Sequence, residues 1–161
     1  MSRPAEAVHR VIKAYDVRGL VGEEIDDDFV FDVGGAFARL VRSGSSRVVI
    51  GYDMRESSPS LAAAFAEGVR AQGLDVVRIG LASTDQLYFA SGLLDSPGAM
   101  FTASHNPAQY NGIKLCLSGA KAVGRDTGLD RIKAMVAAGV PEHLGEPGAF
   151  SATDLLDDFA E

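Results

Sequence analysis

Thirteen consecutive residues, Thr102-Ala103-Ser104-His105-Asn106-Pro107-Ala108-Gln109-Tyr110-Asn111-Gly112-Ile113-Lys114, put a hydroxyl nucleophile, an imidazole, an amide and an amine into one turn-rich stretch. Pro107 fixes its own φ and pushes Asn106 away from helical backbone, so Ser104 and His105 are expected on a tight, exposed loop. Asn111-Gly112 reads as a second turn, and Ile113 to Leu117 as the strand that leaves it. Lys114 on that strand would then fold back toward Ser104. Reactive groups on a loop held by a rigid scaffold are where chemistry is usually found. Taken alone, Ser-His-Asn-Pro reads as a surface turn, because a nucleophile and its base normally come from distant segments. No Gly-x-Ser-x-Gly elbow is present, which disfavours a serine hydrolase.

The elements that must carry this loop follow from spacing. Asp26-Asp27-Asp28 offers cap oxygens and negative charge at a helix start, a better reading than a metal loop. Phe29, Val33, Phe37, Leu40 and Val41 then recur at helical spacing to about Arg42. Val48 to Tyr52 is a continuous run suited to a buried parallel strand. Ser58-Pro59 reads as N-cap and first position of a helix through Gln72, ended by Gly73. Asp75 to Ile79 is the next strand, Thr84 to Ser91 a helix, and Ala99 to Thr102 a strand that runs into the serine loop. Ile113 to Leu117 returns after a short loop and should pair antiparallel. The pattern predicts a three-layer α/β/α sandwich with a mixed, mainly parallel sheet and right-handed crossovers. Gly128 to Ala138 reads as a further helix. Residues 1–141 are expected to form one domain. Residues 142–161 read as a Gly- and Pro-containing linker and, at Leu155, Leu156 and Phe159, the start of a helix cut short before a second domain.

Composition sets outer bounds. The chain has 161 residues, is 47% apolar and carries a formal net charge of −7, a size and balance that allow one domain with its own core. The acidic balance argues against nucleic acid or an anionic membrane as partner. The longest apolar run, Leu61 to Ala66, falls far short of the ~20 residues needed to span a bilayer. Met1-Ser2-Arg3-Pro4 leads into no hydrophobic signal region, so a cytoplasmic location is expected. Cys116 is the only cysteine, and between Leu115 and Leu117 it reads as an inert, half-buried thiol. His9 and His143 lack ligand spacing, so no zinc site is expected.

Three segments, in order, carry a resemblance: Tyr15-Asp16-Val17-Arg18-Gly19, Gly51-Tyr52-Asp53-Met54-Arg55 and the thirteen-residue run. Together they resemble the first substrate-facing loop, the strand-end motif and the active-site serine loop of the α-D-phosphohexomutases, the family of phosphomannomutases and phosphoglucomutases. The chain looks like the first of that family's four domains. The resemblance implies a phosphoryl group on Ser104, passed between C1 and C6 of a hexose through a hexose 1,6-bisphosphate, which also serves as activator. It implies Lys114 as acid–base group, and Arg18 and Tyr15 as substrate-binding residues. His105 joins the catalytic set by shaping the loop, and Thr102, Asn106, Asp53 and Arg55 support it. Mg²⁺ would be held by three aspartates of a second domain, with a phosphate oxygen on Ser104 completing its site. Mannose or glucose 1- and 6-phosphates, and the remaining domains, would be the partners. The chain alone would be inactive. Where relatives commonly carry Pro-Thr-Pro, this chain has Ser83-Thr84-Asp85-Gln86. A catalytically silent binding domain remains an alternative. A phosphoglucosamine mutase domain is another, although those relatives usually differ around Tyr110-Asn111.

Overall fold

The computed structural model describes residues 3–103 and 106–153. Helices and strands alternate as α1 (Ala5–Val11), β1 (Val17–Leu20), α2 (Asp27–Val41), β2 (Arg47–Tyr52), α3 (Ser58–Ala71), β3 (Asp75–Leu81), α4 (Thr84–Leu94), β4 (Gly98–Phe101), β5 (Tyr110–Leu117), β6 (Lys121–Ala122), α5 (Asp130–Ala138) and β7 (Phe150–Ala152). The strands lie in one sheet in the order β1-β5-β4-β2-β3-β7, with β6 also pairing β5. β2 pairs parallel with β3 and β4, and β3 with β7, while β5 pairs antiparallel with β1, β4 and β6. β5 therefore runs alone against the other strands, and the sheet is mixed but mainly parallel as expected.

Alternation along the strands separates two apolar layers. Val48 and Ile50 of β2, Ala99 and Phe101 of β4, and Ile113 and Leu115 of β5 face a core shared with α1, α2, α3 and α5. Val49, Met100 and Cys116 face the other way, onto Leu87 and Ala90 of α4. The chain steps from β2 to β3 in one direction and from β3 back to β4 in the other, which puts α3 and α4 on opposite faces. Caps mark the helix starts. Asp26 accepts from the Phe29 N–H at 2.8 Å, and Ser83 with Gln86 forms a reciprocal capping box at α4. That box occupies the place of the Pro-Thr-Pro turn. α2 and α3 meet through glycines. A Cβ on Gly34 would strike the carbonyl of Phe65, and one on Gly68 the carbonyl of Phe31. No side chain stands between the two backbones there.

Five expectations are corrected. Asn111-Gly112 is no turn but lies inside β5, which begins at Tyr110. Its turn-forming composition is overridden because Gly112 sits between β1 and β4, where a Cβ would overlap the carbonyl of Val17. The second half of the Tyr15–Gly19 stretch is β1 rather than loop, paired with β5 in the register Val17↔Ile113 and Arg18↔Gly112. Phe150–Ala152, inside the stretch read as linker, adds to the sheet beside β3. Ser58 is the first residue of α3 and not its cap; Ser57 holds the cap position. The helix read from Gly128 starts at Asp130 after a π-helical turn, because Gly128 takes φ 150. The apolar pattern at Leu155, Leu156 and Phe159 lies outside the described residues.

Candidate functional site

β4 and β2 end side by side, with Tyr52 opposite Phe101, and the Asp53 N–H extends the ladder to the Phe101 carbonyl at 3.0 Å. The thirteen-residue run leaves from this edge. Ser104 and His105 lie outside the described residues. Thr102 N–H donates to the Gly112 carbonyl and Asn106 N–H to the Ala103 carbonyl, each at 3.0 Å.

Arg55 grips the outgoing flank. Its Nη1 donates to the carbonyls of Pro107 at 2.8 Å and Tyr110 at 2.9 Å, and its Nη2 to that of Asn106 at 2.8 Å. A planar guanidinium offers five donors in a fixed fork, which suits three carbonyls of one short segment. Asp53 holds the arginine in turn: Oδ2 lies 3.3 Å from Nε, and Oδ1 accepts from the Arg55 N–H at 3.0 Å and from Ser58 Oγ at 2.6 Å. Ser58 and Ser57 also accept from Asn111 Nδ2, at 2.9 and 2.8 Å. Asn111 is fully buried, and its Oδ1 accepts from the Gly112 N–H at 2.8 Å. β2, α3, β5 and the serine loop are thus joined by one connected polar network, whose buried groups find partners.

A second arrangement lies beside it. Arg18 Nη1 donates to Asn106 Oδ1 at 3.1 Å, so Arg18 and Arg55 both reach the residue that follows His105. Asp16 stands one step beyond the Val17↔Ile113 pair, which sets it opposite Lys114 across the strands. Its two carboxylate oxygens point at two cations, Oδ1 at Arg18 Nη2 at 3.7 Å and Oδ2 at Lys114 Nζ at 3.8 Å. The Asp16 side chain is only 13% exposed, against 41% for Arg18 and 32% for Lys114. The cations therefore face solvent and the carboxylate lies behind them. Such a pair of half-exposed cations suits an anion with several oxygens, above all a phosphate.

Of the residues singled out by sequence, the structure brings together Arg18, Lys114, Asn106, Asp53 and Arg55, with Thr102 at the root of the loop. Tyr15 stands apart, its side chain open to solvent. Asp16 and Asn111 belong to the site but were read only as parts of motifs. The period of two in Asp16-Val17-Arg18 was the available signal, since it places both charged groups on one face of a strand. Among the described residues no group of three or more His, Cys, Asp or Glu could hold a metal ion. On the α4 face, away from this site, burial pushes the Cys116 thiol up in pKa, opposed by hydrogen bonds from Ser91 and the Gly98 backbone. Burial also raises the Tyr88 phenol, with smaller contributions from Cys116 and Asp85. Cys116 is thus a packed thiol and not a nucleophile. No described helix is long and apolar enough to cross a membrane.

Comparison with known proteins agrees with the motifs. Residues 9–141 match the family model described as phosphoglucomutase/phosphomannomutase, alpha/beta/alpha domain I. The chain is 44% identical over 138 residues to a protein of Xanthomonas campestris pv. campestris named phosphohexose mutases, covering 85% of this chain and 30% of that protein. It is 43% identical over 122 residues to a phosphomannomutase of Klebsiella pneumoniae, covering 75% of this chain and 76% of that sequence. The crystal structure of a phosphoglucomutase/phosphomannomutase family protein from Burkholderia thailandensis superposes with a TM-score of 0.85 at 31% identity, over 100% of this chain and 35% of that one. The chain spans about a third of the length of the Xanthomonas and Burkholderia proteins.

Proposed function

The chain belongs to the phosphoglucomutase/phosphomannomutase family, and on that premise we propose that it is the domain presenting the phosphoryl-carrying serine, Ser104, of a hexose-phosphate mutase. The observation that carries this reading is the convergence of Arg18 and Lys114 beside the flank of the Ser104 segment. In the proposed reaction the free hydroxyl of a hexose monophosphate attacks the phosphorus on Ser104. The bond from phosphorus to the serine oxygen breaks as the new one forms, and the hydroxyl proton passes to a base. The bisphosphate then turns around, and its other phosphate returns to Ser104.

Electrostatics defines what the domain must supply. A phosphoserine and a substrate phosphate each carry nearly two negative charges, and two such dianions about 7 Å apart repel by ~9 kcal/mol at an effective dielectric near 20. Phosphoryl transfer is catalysed mainly by positioning and by cations on the transferred oxygens. Arg18 serves as the fixed charge and Lys114 as the cation able to exchange a proton, while Tyr15 offers a flat ring to the sugar. His105, Asn106 and Thr102 shape the loop, and Asp53 with Arg55 fixes its outgoing flank. Among the described residues no group of three or more His, Cys, Asp or Glu could hold Mg²⁺; in this reading three aspartates of a second domain would hold it, with a phosphate oxygen on Ser104, and it would offset charge on the transferred group. In this reading residues 1–141 form the domain proper. The stretch from 142, which contributes β7 on its way, leads toward the next domain, and the whole works in the cytoplasm on mannose or glucose phosphates.

The test is a chimera in which this chain replaces domain I of the Xanthomonas relative. It should interconvert mannose 1-phosphate and mannose 6-phosphate, and Ser104→Ala should remove nearly all turnover. A folded but inactive chimera would favour a silent binding domain, and full activity in the Ser104→Ala form would overturn the role of Ser104. The 161-residue chain alone should show no turnover in a coupled assay. Rates near a typical enzyme's ~10 s⁻¹ would mean that it builds a complete site by itself.

A further inference from the structure

We propose that Asp16 is a positioning residue that keeps Arg18 and Lys114 converged while the site is empty and yields them when an anion arrives. The inference rests on the mutase reading for the identity of that anion, and on geometry alone for the role of the carboxylate.

Three observations carry it. The carboxylate addresses both cations at once, one oxygen to each, at 3.7 and 3.8 Å. Those separations are ion-pair contacts but longer than hydrogen bonds, so the donors of Lys114 and the Nη2 of Arg18 are attracted without being committed. Among the described residues Lys114 Nζ has no other charged partner or hydrogen-bond acceptor. The carboxylate itself is mostly buried, while its two cations are each about a third or more exposed. An anion from solvent would therefore meet the cations first and need not displace Asp16 from its place in the fold.

The energetic consequence follows from sign. Without Asp16, two neighbouring cations would repel and spread into solvent. With it, they stay together at a cost: the carboxylate also repels the arriving phosphate. A monoanion keeps the cations in place but binds them less strongly than a dianion does. Occupancy by phosphate then shifts both cations from the weaker partner to the stronger. Asp16 would thus trade anion affinity for preorganisation. Such a trade suits a site that must release one end of a bisphosphate and take the other.

The experiment uses the 161-residue chain with inorganic phosphate as the probe, followed by amide NMR shifts of β1 and β5, with thermal unfolding run on every variant. Asp16→Asn should bind phosphate about threefold to tenfold more tightly than the unsubstituted chain, because one repelling charge is gone. Asp16→Glu, which restores the charge, should return the affinity to within about twofold. A residue that merely braced the strand would give weaker binding on substitution, so weaker or unchanged binding in a folded Asp16→Asn chain overturns the proposal. Should Asp16→Asn fail to fold, Asp16→Ser makes the same test with a smaller neutral side chain. The unsubstituted chain gives an independent reading. Added phosphate should move the carboxyl carbon signal of Asp16 more than that of Asp53, which stays bonded to Ser58 and Arg55. Equal or absent movement at Asp16 also overturns it. Phosphate affinity reads the cations alone, whereas the mutase reading is tested through Ser104 in the chimera, so either can fail without the other.

Discussion

Arg55 and Arg18 reach the same residue in different ways. Arg55 takes the main-chain carbonyl of Asn106 at 2.8 Å, together with two more carbonyls, and its side chain is 12% exposed. Arg18 takes the side-chain oxygen of Asn106 at 3.1 Å, stands 3.7 Å from its carboxylate and is 41% exposed. The carboxylates differ likewise. Asp53 accepts bonds as short as 2.6 Å, while Asp16 holds its cations at arm's length. One arginine is committed to the backbone, where its loss strips three carbonyls and the Asp53 carboxylate of their shared donor. Among the described residues the other makes one side-chain hydrogen bond and one longer ion pair, which suits the proposed part of meeting an anion that comes and goes. Two arginines that bear on one loop need not share a task, and burial with bond length tells them apart.

That contrast makes graded predictions. The largest stability loss is expected from Gly112→Ala, which would press a methyl group into the Val17 carbonyl and toward Thr102. A cost of about 3 kcal/mol or more should appear as a lower urea midpoint. Arg55→Ala comes next, at about 2–3 kcal/mol, since it strips three carbonyls and leaves Asp53 facing an empty space. A much smaller loss would show that the grip on the loop is decorative. Asn111→Ala should cost about 1–2 kcal/mol by removing the shared donor to Ser57 and Ser58 and the acceptor of the Gly112 N–H, again read from urea unfolding.

Arg18→Ala and Lys114→Met should sit at the small end, within about 0.5 kcal/mol of the parent in stability, because exposed ion pairs contribute little. In the chimera the order should invert. Lys114→Met should lower kcat chiefly, and Arg18→Ala should raise KM as well, since phosphate is bound in the ground state too. If the two substitutions destabilised the chain as much as Arg55→Ala, the division between holding and binding would collapse.

Most of the layered architecture was legible from spacing. The apolar stripe Phe29, Val33, Phe37 and Val41 announced α2, and the run Val48 to Tyr52 announced a strand buried on both faces. What misled was local chemistry read without its neighbours. Asn111-Gly112 has the composition of a turn, yet the amide is needed to tie two serines and the glycine to admit two adjacent strands. Both needs arise only once β1, β4 and β5 are side by side. β7 is three residues with Gly145, Pro147 and Gly148 just before it, too short for any period to show, and it exists because β3 offers an unpaired edge. Arg18, Lys114 and Arg55 were legible as motif residues, but their division of labour was not. It depends on distances and exposure, and motif spelling contains neither. Asp16 is visible in the sequence only as part of the first motif, because its place opposite Lys114 depends on the register of β1 against β5.

The reversal of β5 has a mechanical consequence. A wound α/β unit would have carried the chain from β4 through a helix to a distant strand, leaving whatever followed β4 on a long leash. Here β5 begins at Tyr110, soon after β4 ends at Phe101, and it lies between β4 on one side and β1 on the other. Arg55 ties three carbonyls of the outgoing flank, those of Asn106, Pro107 and Tyr110, to the end of β2. In the proposed reading, where a group must be delivered to two ends of a sugar, that flank is the anchored side of the transaction. The travelling then falls to the small molecule, and to whatever closes over it.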